Sequence, residues 1–546
     1  MRRIQKEYGY LDRDELKRFS RNSDVPLYRL HAVASFFPHF RLAPATGVTV
    51  KVCRDTACHL AGAASTLEEL CLFASDGVRV EGGSCLGRCD RAPAVCIAVH
   101  QEPEHELFYL GRKTGELKQI VSACVDGTVS PEGADHDAGR QRYPSSGWMV
   151  DPYTDGSRDY AVVKKLVAAR NAELPREREA GKTPPWIDAI FTELDDASLR
   201  GMGGAGQPAR DKWRDVRDAV AEARRRQTDD RAFIVVNGDE SEPATFKDRE
   251  LLLHYPHLVV ESVILAGLVT EASEGFIFIR HEYHEQIAAC EAEIRRAESM
   301  GVCGAFAPVL GKSFPVSVFV SPGGYICGEQ SALVEAMSGR RGEPRNLPPK
   351  LETNGLDDRP TLVSNVETFA WVPYILINSG KKYASLGVNG RKGRRFFSVC
   401  GDLERPGVYE VPMGLTLREL IYGDEYCQGI EGGRKLKAVA PSGPSGGFLP
   451  TRLTDPGGHP RDGRTEKAWQ ELARRRGFNP GARDLDILDL ELELDLFRAL
   501  SPTHMLGAGL VVYAEGRDMA EQAVNSLEFY RNESCGKCVP CRIGSQ

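Results

Sequence analysis

Residues 199–213 read LRGMGGAGQPARDKW. Gly201, Gly203, Gly204 and Gly206 crowd into this stretch, and Lys212 and Trp213 follow. Glycines at such density let the backbone turn through positive φ and bring N–H groups against a ligand with no side chain between. A helix opening near Ala209 would add a field that favours phosphate. A plain surface turn has a similar composition, and the next polar cluster separates the two readings. Ile234-Val235-Val236 reads as a buried strand, followed at once by Asn237-Gly238-Asp239-Glu240-Ser241-Glu242-Pro243. Carboxylates and an amide at the carboxyl end of a strand, facing a glycine loop, mark where an α/β fold binds a nucleotide or a flavin.

The same layer continues outward. Pro256 to Thr270 reads as a helix with its proline in the first turn. Gly275 to Arg280 (GFIFIR) and Phe314 to Val320 read as strands, and Glu285 to Met300 as an amphipathic helix with an acidic, solvated face. Strands alternating with helices indicate a Rossmann-like layer. At 546 residues the chain is expected to form several domains. Its 70 Lys and Arg against 77 Asp and Glu, a net charge of −7, give no reason to expect nucleic acid or an anionic membrane as partner. The apolar runs at Leu258 to Val269 and Met505 to Ala514 are too short or too interrupted for a bilayer span. The opening MRRIQKEYGY lacks the apolar core of a signal peptide. These features predict a soluble, cytoplasmic protein without direct membrane insertion.

The 15 cysteines group by spacing, which favours metal sites over disulfides. Cys53-x4-Cys58 follows a predicted strand at Val48 to Val52, and Cys85-x3-Cys89 lies in GGSCLGRCDRAP. Two such pairs on loops can hold four thiolates around a metal centre. Structural zinc is the alternative, although its paired cysteines are usually two residues apart. Cys71 and Cys96 fall outside the pairs and read as buried core thiols. Near the end, Cys535-x2-Cys538-x2-Cys541, flanked by Pro540 and Arg542, has the pitch of a [4Fe–4S] motif, with zinc again the alternative.

LRGMGGAGQP, NGDESEPATFKDR (Asn237 to Arg249), GGYICGEQSAL (Gly323 to Leu333) and SNVET (Ser364 to Thr368) occur in this order. Together they resemble the flavoprotein subunit of respiratory complex I, a module that recurs in NAD-linked formate dehydrogenases and hydrogenases. The likeness runs from about Ile187 to the C-terminus. The N-terminal cysteine pairs resemble the family's small [2Fe–2S] subunit, which is thioredoxin-like. The implied architecture is α/β and multidomain. It comprises a helical segment (1–45), a thioredoxin-like [2Fe–2S] domain (46–125), and a linker with lead-in helices (126–186) whose stretch Val125 to Arg158 is a loosely ordered crossing. A Rossmann-like FMN and NADH domain (187–394) follows, then a β-grasp domain (395–515) with an inserted loop at about 452–484, and the start of a helical [4Fe–4S] domain (516–546).

The resemblance implies FMN surrounded by Gly201, Gly203, Gly204, Gly206, Lys212, Asn237, Asp239, Glu240, Tyr325, Gly328, Glu329, Ser364 and Asn365. Glu242 would face the sugar region of NAD(H), and Glu329 and Gln330 would stand near the flavin. Cys53, Cys58, Cys85 and Cys89 would ligate [2Fe–2S]. Cys535, Cys538 and Cys541 would ligate [4Fe–4S], its fourth ligand being expected from outside this chain. No catalytic acid or base is expected, because hydride passes directly between nicotinamide and flavin. The implied function is oxidation of NADH, or reduction of NAD+, with single electrons passed through the clusters to a redox partner subunit working on formate, hydrogen or quinone. Departures fall on the dinucleotide side. The family commonly has Arg at Met202, Lys at Leu347, Glu at Gln330, and adenine-stacking Phe at Gln207, Asp215 and Lys350. Loss of those rings supports an alternative, a flavin and iron–sulfur relay or bifurcation subunit that no longer binds NADH efficiently.

Overall fold

The computed structural model describes residues 1–45, 47–100, 105–128, 133–138, 147–153, 156–173, 183–454, 467, 470, 471, 474, 484–500 and 505–546. Three short helices open the chain: Arg2–Tyr8, Arg13–Ser23 and Leu27–Ala34. Asp12 caps the second by accepting from the N–H groups of Asp14 and Glu15. These helices lie on the Rossmann-like layer, where Val33 and Phe37 share a core with Phe233, Val235 and Phe278.

Strands β1 (Val48–Cys53), β2 (Val78–Gly83), β3 (Ala94–Val99) and β4 (His105–Leu110) form a sheet in the order β2-β1-β3-β4. The β1 and β2 pair is parallel, and the others are antiparallel. This mixed sheet, with helices Ala63–Phe73 and Thr114–Val125 packed on it through Leu70, Leu117 and Val121, is the thioredoxin-like unit. Cys96 is buried on β3 as expected. Cys71 is not: it is exposed, because Leu70 and Thr66 form the inner face of its helix.

The Rossmann-like layer contains β5 (Phe233–Gly238), β6 (Glu274–Ile279), β9 (Val316–Val320) and β10 (Thr361–Asn365), all parallel, in the order β10-β5-β6-β9. Helix Pro256–Thr270 is buried from His257 to Thr270, which explains its lack of a polar face. The stretch expected as one strand at Phe314 to Val320 is divided at Pro315. Its first part, β8 (Lys312–Phe314), pairs with β7 (Gly304–Ala307) as a separate hairpin. Proline has no N–H for a ladder, whereas its carbonyl still accepts from Gly275.

In the β-grasp unit β11 (Arg394–Gly401), β12 (Gly407–Pro412), β13 (Leu436–Pro444), β14 (Leu449–Pro450) and β17 (Gly509–Ala514) form the order β12-β11-β17-β13-β14. The central β11 and β17 pair is parallel. Helix Leu417–Tyr422 is held by a capping box between Thr416 and Glu419. Of the inserted loop, the short pair β15 (Arg452–Thr454) and β16 (Asp484–Asp486) is ordered antiparallel, and the remainder lies almost wholly outside the described residues.

The expected loose crossing at Val125 to Arg158 is anchored at several of its described residues, although Val125 to Thr128 and Gly156 to Arg158 are exposed. Trp148, Val150 and Tyr153 are buried in the main core. The N–H groups of Met149 and Val150 donate to Glu410, and the Tyr153 hydroxyl donates to Glu261. Asp137 is buried against Arg88 and Arg91. Large aromatic side chains and paired carboxylates outweigh the Gly, Ser and Pro content that suggested looseness.

The junction of the thioredoxin-like and flavin units is fastened by Arg249, which is 1% exposed. Its guanidinium forks onto Asp90 at 3.1 and 3.0 Å, reaches Glu250, and donates to the Gly87 carbonyl at 2.9 Å. Gly87 has φ +72°, and a Cβ there would strike Tyr283 at 2.7 Å, so only glycine lets the loop sit this close. Replacing Arg249 by Met removes the buried guanidinium that pairs with Asp90 and Glu250, while Asp137 keeps Arg88 and Arg91. The expected cost is about 3–5 kcal/mol, read as a lower unfolding midpoint with early loss of the [2Fe–2S] absorbance.

Candidate cofactor sites

Four segments meet at the carboxyl ends of β5 and β10, where Asn237 and Asn365 stand in register. They are the glycine loop before helix Ala209–Arg225, the loop after β5, the turn Tyr325–Gly328 before helix Gln330–Met337, and Ser364-Asn365. They enclose a cavity of about 490 Å³, in the range of small-molecule and cofactor sites. Gly201, Gly203, Gly204, Lys212, Asn237, Asp239, Glu240, Glu242, Tyr325, Gly328, Glu329, Ser364 and Asn365 all line it. Gly206 serves the turn itself: its φ is +66°, its N–H donates to the Gly201 carbonyl, and a Cβ would meet Leu494 at 2.6 Å. At Gly204, φ is +113° and a Cβ would stand in open space.

Much of the polar constellation is occupied in shaping this cavity. Glu240 accepts from the N–H groups of Asp248 (2.8 Å) and Arg249 (3.1 Å) and from the Tyr283 hydroxyl (3.1 Å). Burial and then Asp248 push its carboxyl up to about 8. Glu329 caps helix Gln330–Met337 through Ala332 N–H at 2.8 Å, and Asn365 caps helix Val366–Asn378 through Glu367 N–H at 3.0 Å. Asn237 donates to the Gly328 carbonyl at 2.9 Å, tying two walls together.

Two side chains keep capacity for a ligand. Asp239 is buried and accepts from Ser241 through Oδ2 at 3.0 Å, while its buried Oδ1 has no hydrogen-bond partner among the described residues. Burial raises its carboxyl to about 7. A ligand hydroxyl or ring N–H donated to Oδ1 would satisfy that atom. Lys212 is buried with neutral partners, Gln330 Oε1 at 2.9 Å and the Val363 carbonyl at 2.7 Å; burial lowers its pKa. An ammonium with uncharged partners favours an anionic ligand group. These residues fit a flavin mononucleotide.

Sequence reading missed several lining residues. Lys247 and Asp248 form a buried pair at 2.5 Å, and Lys247 also reaches Glu367 at 3.1 Å. Thr368 accepts from Met202 N–H. These residues lie inside the quoted FKDR and SNVET motifs, so a signal existed. Ser442, Ser445 and residues 505–508 come from the β-grasp unit, and no local pattern announces them. Of the dinucleotide-side departures, Met202, Gln207 and Gln330 line the cavity, whereas Leu347 and Lys350 are exposed and Asp215 is half-exposed on its helix.

Cys53, Cys58, Cys85 and Cys89 are all buried. Cys58 sits in the short helix Thr56–Leu60, and Cys85 and Cys89 flank the turn at Gly87. The Cys85 and Cys89 sulfurs are 3.4 Å apart. Hydrogen bonds from Cys53 and Cys89 hold Cys85 well below the usual thiol range, and those two thiols are pushed well above it. The N–H groups of Gly87, Ala94 and Ala244 point at the Cys85, Cys58 and Cys89 sulfurs at 3.4, 3.4 and 3.3 Å. Buried sulfurs ringed by N–H donors fit an iron–sulfur cluster, whose charge such donors tune. Ala244 belongs to the loop that lines the flavin cavity through Glu242 and Thr245.

Cys535 is half-buried, and Cys538 and Cys541 are exposed, around a turn with Gly536 at φ +76°. Cys538 is the N-cap of helix Val539–Gly544. Helix Met519–Glu533 connects this motif to the cavity: Glu533 accepts from Tyr325 N–H at 2.8 Å, and Phe529 packs edge-on against Tyr325 with ring centres 5.0 Å apart.

A flavin cavity walled by one thiolate nest and tied to another defines the class: a flavin and iron–sulfur electron-transfer protein. Three family models match the chain. "Nuo51 FMN-binding domain" covers residues 194–374, "Thioredoxin-like [2Fe-2S] ferredoxin" 1–106, and "NADH-ubiquinone oxidoreductase-F iron-sulfur binding region" 521–546. The F subunit of NADH-quinone oxidoreductase in Aquifex aeolicus is 36% identical over 360 residues, 65% of this chain and 72% of that protein. The mitochondrial NADH dehydrogenase [ubiquinone] flavoprotein 1 of Dictyostelium discoideum is 34% identical over 361 residues, 65% of this chain and 66% of that one. A solved NAD+-reducing [NiFe]-hydrogenase in its H2-reduced state aligns over 100% of this chain and 81% of its own, with a TM-score of 0.75 at 26% identity. The chain belongs to the family of the complex I flavoprotein, the F subunit of NADH-quinone oxidoreductase.

The raised Asp239 carboxyl sets a pH dependence. In the unfolded chain an aspartate releases its proton near pH 4, whereas the folded site keeps it to about pH 7. The folded state therefore binds the extra proton, and stability falls as pH rises through that window, by on the order of 4 kcal/mol at most. Thermal melts of FMN-free protein are expected to show Asp239→Asn matching the parent at pH 4 and exceeding it at pH 8.

Proposed function

We propose that this chain is the electron-entry module of a larger assembly, oxidising NADH, or reducing NAD+, at FMN and exchanging single electrons with a partner redox subunit. The observation that carries the reading is the shared wall. The loop that lines the cavity with Glu242 and Thr245 also donates Ala244 N–H to Cys89, and Tyr325 of the same cavity donates its N–H to Glu533, the last residue of the helix that precedes Cys535. Bound FMN would supply the junction between two-electron nicotinamide chemistry and one-electron clusters.

The chain's own residues would position and exclude. Glu240, Glu329 and Asn365 hold three loops rigid through helix N-termini, so the cavity needs little rearrangement on binding. Lys212 would balance ligand charge, and Asp239 would accept a ligand hydrogen bond. Glu242 accepts from Ser445 N–H at 3.0 Å at the β-grasp edge and would meet the nucleotide sugar. Burial raises its carboxyl to about 6. The partner would accept electrons from the [4Fe–4S] motif and act on quinone, hydrogen or formate. A cytoplasmic setting accords with fifteen cysteines, none of them disulfide-bonded, and with the finding that among the described residues no single helix is long and apolar enough to cross a membrane.

One observation favours the second reading, a relay without efficient NADH binding. Tyr325 is the sole aromatic among the described lining residues, so no other ring there stacks on adenine. Anaerobic titration of FMN-reconstituted protein with NADH separates the two. Stoichiometric bleaching of the flavin band supports NADH oxidation; bleaching by dithionite but not by NADH leaves the relay. Independently, Lys212→Met removes a charged hydrogen-bonding partner worth about 1.5–3 kcal/mol. It is expected to weaken FMN binding roughly 10- to 100-fold by fluorescence titration.

A further inference from the structure

Away from the cofactor sites, the thioredoxin-like and flavin units face each other across a second polar contact. Glu106 lies on β4, and far along the chain His281 lies in the turn before helix His284–Ser299, whose first residue is His284. Glu106 Oε2 stands 3.2 Å from His281 Nε2 and 3.1 Å from His284 Nε2, and the three ligand atoms lie within 4.8 Å of one another. The two imidazole rings are nearly perpendicular, at 89°, with centres 5.5 Å apart.

These features match a metal centre. Ligand atoms about 2.0–2.1 Å from a tetrahedral zinc ion stand about 3.3 Å from one another. Two imidazole nitrogens and one carboxylate oxygen are a recurrent zinc set that leaves a fourth position for water. Side-chain exposures of 15%, 33% and 40% give that position access to solvent. The rings are also braced. His39 lies against His281 with centres 3.9 Å apart, and Phe108 packs on His284 at 5.9 Å. Bracing of this kind orients imidazoles before metal arrives.

We propose that Glu106, His281 and His284 bind a divalent transition-metal ion, zinc by its ligand set, which staples the [2Fe–2S] unit to the flavin unit. The site performs no redox step and is separate from the thiolate motifs.

The test uses holoprotein with FMN and clusters in place, washed with chelator and titrated with Zn2+ against a chromophoric competitor. The parent is expected to bind one more Zn2+ equivalent than His281→Ala/His284→Ala, and to gain thermal stability on zinc addition where that variant does not. Glu106→Gln, which keeps the shape and a hydrogen-bond acceptor, is expected to weaken that equivalent at least tenfold and guards against misfolding of the double variant. Co2+ at the site is expected to give ligand-field bands without sulfur charge transfer. Equal zinc binding by parent and variants overturns the proposal. So does binding that always brings thiolate charge transfer, which would assign the metal to cysteine sulfurs that no cluster holds.

Discussion

Two buried guanidiniums, Arg249 and Arg280, hold the two cofactor regions together. Arg249 pairs with Asp90 of the thioredoxin-like unit, and Arg280 donates one arm to the Cys85 carbonyl and another to the Glu240 carbonyl. Burying charge is costly unless each group finds partners in good geometry. Here the partners come from both units, Glu250 and Glu282 on one side and Asp90 and the Cys85 carbonyl on the other, so the full set is made only when the units are docked. That makes the junction specific: a shift by a few ångströms would leave several ions stranded in the core.

The same constraint explains why the loop after β5 serves two masters. Its Ala244 N–H faces the buried Cys89 sulfur, and its Glu242 lines the cavity beside it. Carboxylates crowded at this point, Asp239, Glu240 and Glu242, all have raised pKa values with burial as the largest cause. Arg280 opposes that rise at Asp239, and Lys247 opposes it at Glu240. The wall is thus electrostatically poised without any ligand, and a bound group with hydrogen-bond donors relieves part of the strain.

Within the cavity, the polar residues divide by what their oxygens do. Glu240, Glu329 and Asn365 are consumed by backbone N–H groups at helix starts, where a free donor would otherwise be orphaned. Asp239 and Lys212 are left with capacity for a ligand. A motif that reads uniformly as a binding constellation is therefore part scaffold. The scaffold is what makes the remaining groups point inward without cost at the moment of binding.

The sequence by itself determined the α/β layer, the glycine turn and the cysteine pairs. Each depends on short-range pattern: apolar runs that become β5 and β6, glycines that permit positive φ, thiols spaced for one metal centre. It also placed helix Pro256–Thr270 correctly, since a largely apolar run of that length with proline in its first turn has little alternative. Composition misjudged Cys71, because which side of an amphipathic helix faces inward depends on the sheet it meets. It misjudged the crossing before Arg158, because Trp148 and Tyr153 are buried by cores contributed from elsewhere. Only the tertiary structure brought Ser442 and Gly507 to the flavin wall, Ala244 to Cys89, and Glu106 to His281 and His284. Those meetings depend on the docking of whole units through buried charge, and no local spacing encodes a contact between residues so far apart in the chain.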